Sequence, residues 1–156
     1  MCNFFLISWH RAALVLMLSM PCGLAIGGTL SETDKSVRSI VSGIVSYTRW
    51  PALSGKPNLC IFASSHYVEA LSAEGPEALP YTPVIIHDDQ EALSAECHAL
   101  YFGSESPTHQ LELSQAFHAR PLLLIAEQNP QCLIGSAFCL IIDSARVRFS
   151  VNLDVL

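Results

Sequence analysis

The chain has 156 residues, of which 51% are hydrophobic and only 14% charged, and its formal net charge is -6. No run of Lys or Arg occurs, so a phosphate backbone or an anionic membrane surface would meet no cationic footprint, and nucleic acid is not expected as a partner. This length and apolar content suit a single domain with its own core, built without repeats or a structural metal.

Residues 1–25 read as a secretory signal peptide. Arg11 supplies the positive charge, and residues 12–20 (AALVLMLSM) form an apolar stretch shorter than the roughly 20 residues of a membrane span. Gly23-Leu24-Ala25 places small residues where signal peptidase reads, so the mature chain is expected from Ile26. The rival readings are a lipid-modified Cys22, for which Ser19-Met20-Pro21 is a poor lipoprotein box, and a retained anchor.

Val37, Ile40, Val41, Ile44 and Val45 then recur at helical spacing, with Ser31 and Asp34 able to cap the start and Pro51 stopping the helix near Trp50. Residues 58–63 (NLCIFA) suit a buried strand and residues 67–73 a short helix. Residues 81–87 (YTPVIIH) are extended, Asp88 and Asp89 cap a helix to Ala95, and residues 98–102 (HALYF) form the next strand. Ser106 and Pro107 open a helix over residues 108–118 that turns Leu111 and its neighbours to the core. Residues 121–127 (PLLLIAE) are apolar on both faces, and residues 138–142 and 147–151 make an antiparallel hairpin through residues 143–146. The expected fold is α/β: one domain over residues 26–156, a mostly parallel twisted sheet with helices on both faces and a C-terminal antiparallel hairpin.

Six cysteines become four once Cys2 and Cys22 leave with the leader. Cys60, Cys97, Cys132 and Cys139 allow three pairings. The segment between Cys132 and Cys139 contains Gly135 and Ser136 and can turn back, which favours the local pair and leaves Cys60 with Cys97. Without a C-x-x-C or a zinc spacing, structural disulfides are expected rather than a metal site or a redox dithiol.

No H-E-x-x-H, G-x-S-x-G, P-loop or G-x-G-x-x-G occurs, so the usual hydrolase, metalloprotease and nucleotide-binding geometries lack their residues, and neither enzyme activity nor a cofactor is expected. His87-Asp88-Asp89 reads as a helix cap rather than a metal site, and His66, His98, His109 and His118 have no ligand spacing. The most distinctive segment is Tyr47-Thr48-Arg49-Trp50-Pro51. Aromatics and arginine at a helix end suit a partner contact, but Trp50 could equally plug the helix against the sheet. Glu127, at the carboxyl end of an apolar strand, is a second candidate contact, weighed against a carboxylate held by its own loops.

The helix ending in Tyr47-Thr48-Arg49-Trp50-Pro51, the strand Leu59-Cys60-Ile61-Phe62, Ala126-Glu127, the cysteines around Ile134-Gly135 and the closing Val147-Arg148-Phe149-Ser150-Val151-Asn152 together resemble the YfiR family of periplasmic regulators. The resemblance runs from about Val37 to Leu156. It implies a non-enzymatic repressor that binds the periplasmic sensor region of a YfiN-like inner-membrane diguanylate cyclase and restrains cyclic-di-GMP synthesis and biofilm formation. A YfiB-like outer-membrane lipoprotein would sequester it, and a homodimer is left open. The same resemblance pairs Cys60 with Cys97 and Cys132 with Cys139. Family members usually continue past Asn152-Leu153-Asp154, so the domain is expected to be cut short at Leu156. A periplasmic small-ligand binder or an unrecognised thiol enzyme is the alternative.

Overall fold

The computed structural model of the protein describes residues 28–118 and 120–156; the expected leader lies outside the described residues. In chain order the elements are α1 (Glu32–Tyr47), β1 (Asn58–Phe62), α2 (Val68–Ser72), β2 (Thr82–Ile86), α3 (Asp89–Ser94), β3 (Ala99–Phe102), α4 (Pro107–Ala116), β4 (Leu123–Ala126), β5 (Phe138–Ile142) and β6 (Val147–Val151). The six strands form one sheet in the order β2-β1-β3-β4-β5-β6. Every pairing is parallel except that of β5 with β6.

Strand parity divides the core. Leu59, Ile61, Ala99, Tyr101, Leu123, Ile125 and Leu140 face one side, where they meet Val37, Val41, Ile44 and Val45 of α1 and Leu71 of α2. Cys60, Phe62, Leu100, Phe102, Leu124 and Ala126 face the other, against Ala92 of α3 and Leu113 of α4. The sheet is therefore covered by helices on both sides, which is why its central strands read as continuous apolar runs.

α1 opens on a capping box: the Ser31 hydroxyl accepts from the Asp34 backbone N–H while the Asp34 carboxylate accepts from the Ser31 N–H. Each of its four inward aliphatics contributes about 2 kcal/mol by burial. The helix ends at Tyr47, ahead of Trp50, because Thr48 turns extended and closes the last turn by donating its N–H to the Ile44 carbonyl.

α4 departs from expectation. Its buried residues are Gln110 and Leu113, while Leu111 is only half-buried. Leu113 and Phe117, one helical turn apart, supply the apolar face, and Gln110 is buried for a polar reason. Its Oε1 accepts from Asn129 Nδ2 (3.1 Å) and Ser136 Oγ (2.8 Å), and its Nε2 donates to the Glu105 carbonyl (2.8 Å). This network pins the crossover from β4 to β5, which contains no helix among its residues. Gly135 has φ 88°, and a Cβ there would lie 2.7 Å from the Pro107 carbonyl oxygen. Only glycine lets the crossover approach α4 so closely. The disulfides are Cys60–Cys97 and Cys132–Cys139.

Candidate functional site

The four candidate contact residues lie at two ends of the sheet. Tyr47, Arg49 and Trp50 cluster at the amino-terminal ends of the parallel strands, where the Trp50 ring meets His98, just ahead of β3, edge-on at 6.3 Å between centroids. Glu127 follows β4, at the carboxyl end.

At the α1 end the three side chains behave differently. Trp50 is half-buried, packs against the α1 side of the core and donates its Nε1 proton to the Val45 carbonyl (3.2 Å). His98, its aromatic neighbour, is held by the Asn58 backbone N–H, which donates to Nδ1 (3.0 Å). Arg49 is exposed, and Tyr47 is 91% exposed. Ala52, in the left-handed region at φ 67°, turns the chain away just past Pro51. An anchored indole thus carries a solvent-facing phenol and guanidinium at a fixed helix end, residue types that concentrate binding energy at protein interfaces.

Glu127 faces inward. Its carboxylate, 1% exposed, accepts from Ser65 Oγ (2.7 Å), Tyr101 OH (3.0 Å) and the His66 backbone N–H (3.0 Å), with His66 Nδ1 at 3.2 Å. Its oxygens are occupied by Tyr101 of β3 and by Ser65 and His66 of the loop between β1 and α2; the His66 ring is the part of this cluster that reaches solvent. Burial, and then the neighbouring Glu127 charge, push the Tyr101 hydroxyl far above its ordinary value.

Open α/β sheets place ligands where the strand order reverses, here between β1 and β3. The chain closes that crevice itself. Glu105 accepts from Ser64 Oγ (2.6 Å) and from the Gly103 N–H (2.7 Å), and a Cβ at Gly103 would lie 2.3 Å from the Ser65 nitrogen. Beside it lies a shallow hollow of about 420 Å³ where His109 Nε2 meets Asp89 at 2.7 Å. Among the described residues no group of three or more His, Cys, Asp or Glu could hold a metal ion, and no helix is long and apolar enough to cross a membrane.

A wider groove of about 760 Å³ runs between α1 and residues 74–80. Its main cation, Arg38, is spent on the fold, donating from Nη1 to the Ala70 and Ala73 carbonyls at the end of α2 (2.9 and 2.6 Å). The rest of the lining is mostly apolar surface, with the hydroxyls of Ser39, Ser42 and Ser46 and the charged side chains of Lys35, Glu74 and Glu77.

With the sheet order, both disulfides and the α1 end in place, comparison with family models is direct: the YfiR/HmsC-like model matches residues 34–156, well over half of the chain. The chain belongs to the YfiR/HmsC-like family. Membership places it among regulatory, non-catalytic domains, and its two disulfides fit an oxidising compartment. Within this family domain, sequence patterns did not reveal Gln110, Asn129 and Ser136, nor the His66–Glu127 contact. The one visible signal was the polar run Ser64-Ser65-His66 directly after an apolar strand.

Proposed function

We propose that this YfiR/HmsC-like protein is a periplasmic repressor that binds the periplasmic sensor region of a YfiN-like inner-membrane diguanylate cyclase and lowers cyclic-di-GMP synthesis, and with it biofilm formation. The observation that carries the reading is the family match across the whole α/β domain. The surface supports it: Tyr47 and Arg49 project from a helix end anchored by Trp50, a contact site that does not require a substrate cavity. In this reading a YfiB-like outer-membrane lipoprotein competes for the repressor and releases the cyclase.

The groove beside α1 favours a second reading, a small amphipathic ligand resting on Leu79 and the α1 serines. Affinity measurements with the purified cyclase sensor region test the two together. The repressor reading expects saturable binding that Tyr47→Ala and Arg49→Ala weaken at unchanged melting temperature. Absence of binding by folded protein with both disulfides intact would refute it.

A further inference from the structure

Where β1 and β3 begin, one backbone donor is taken by a side chain. His98 donates its N–H to the Asn58 carbonyl (3.0 Å), and Leu123 donates to the His98 carbonyl (3.1 Å), continuing the parallel ladders. The Asn58 backbone N–H donates instead to Nδ1 of the His98 ring (3.0 Å), while the Glu96 carbonyl accepts from the Asn58 side-chain amide (2.9 Å). The Cys60–Cys97 disulfide ties the two segments together beside these bonds.

A backbone N–H can only donate, so Nδ1 is the acceptor and the ring is neutral, with its proton on Nε2. Both nitrogens of an imidazolium are donors. A proton added at Nδ1 therefore sets two N–H groups against each other, and the bond is lost. The same ring meets Trp50 edge-on, and Trp50 is the anchored side chain beside the exposed Tyr47 and Arg49. The ionisable side chains on the segments around His98 are Arg49 and Lys56 ahead of β1, Glu96 ahead of β3, and His118 and Arg120 ahead of β4. All five are exposed, and among the described residues none hydrogen-bonds to the His98 ring. His66, His87 and His109 differ: each meets a carboxylate, of Glu127, Glu91 and Asp89 respectively, that can hold an added proton in an ion pair.

We infer that His98 is a positioning residue for the α1 end and makes it acid-sensitive: proton uptake at Nδ1 breaks the bond to Asn58, turns the ring away from Trp50 and weakens the hold of Tyr47 and Arg49 on a partner. Imidazole changes charge between about pH 5 and 8, so the support is complete toward the alkaline side of that range and is lost on acidification. The link to partner binding rests on the repressor reading. The coupling of His98 to Asn58 and Trp50 does not.

The test follows the protein, purified after expression of the full chain, from about pH 7.5 to about pH 5.5, alone and with the cyclase sensor region. In the protein alone, the Asn58 amide and Trp50 indole resonances should move in one step with those of the His98 ring. Affinity for the sensor region should fall about tenfold over the same step, the equivalent of one hydrogen bond. His98→Asn keeps an acceptor near the Nδ1 position and has no proton to gain, so its affinity should be the same at both pH values. His98→Phe keeps a ring beside Trp50 and offers no acceptor, so its affinity should be low at both. Asn58 and Trp50 resonances that stay fixed across the range overturn the inference, and that outcome needs no variant. So does a fall in affinity that folded His98→Asn retains in full, which would assign the response to another group. A folded parent that binds the sensor region at neither pH refutes the repressor reading instead, and the Asn58 and Trp50 resonances then decide the inference by themselves.

Discussion

A carboxylate buried at the end of a strand is retained only if its oxygens are satisfied, and at Glu127 three donors from one strand and one loop converge on it. Glu127→Ala should leave the Tyr101 hydroxyl and Ser65 without their acceptor, costing about 3 kcal/mol of stability in urea unfolding. Tyr101→Phe, which removes one hydrogen bond to a charged acceptor, should cost about 2 kcal/mol. The same burial makes the fold sensitive to alkali. Burial pushes the Tyr81 hydroxyl up to about 12, and burial with the Glu127 charge raises Tyr101 further. Because these folded-state values lie above the unfolded value of 10.0, their contribution is complete below pH 10 and is lost as pH rises through 10 toward 12. Tyrosinate absorbance should therefore show two of the four tyrosines ionising only when circular dichroism reports unfolding. Ionisation of all four near pH 10 with the fold intact would contradict that burial.

Among the elements, those with strong local signals were legible in the sequence. The β1, β3 and β4 runs are apolar on both faces because helices cover both, and α1 shows its stripe and its Ser31–Asp34 box plainly. α4 was found by its Ser106 cap and Pro107, but its inward residues were not, because Gln110 is buried to hold a crossover distant in sequence and no periodicity encodes that. Gly135→Ala should then destabilise by more than an exposed glycine change, since its Cβ meets both Pro107 and Gln110. The disulfides differ in the loops they close, with separations of 37 and 7 residues. Loop entropy predicts a loss of about 4 kcal/mol when Cys60–Cys97 is replaced by serines and about 2 kcal/mol for Cys132–Cys139. Thermal unfolding of the two double variants checks the order. At the α1 end, Trp50→Ala should cost about 2 kcal/mol, less than the roughly 3–5 of a fully buried aromatic, because the ring is only half-buried.

At the scale of the molecule, Pro83, which has no N–H to offer, blunts the β2 edge of the sheet, the crevice at the strand reversal is closed by the chain's own Glu105, and the exposed aromatic and cationic groups at the α1 end stand beside the anchored Trp50. That distribution of surface suits a domain that works by holding another protein. The family was legible only through the ordered combination of motifs, because no single residue carries chemistry whose spacing would announce it. The most direct test is cyclic-di-GMP synthesis by membranes containing the cyclase, titrated with the folded, disulfide-intact protein. Product formation should fall saturably, with Tyr47→Ala and Arg49→Ala shifting the titration to higher concentration at unchanged melting temperature. Synthesis that stays constant at every concentration of the parent protein would contradict the account.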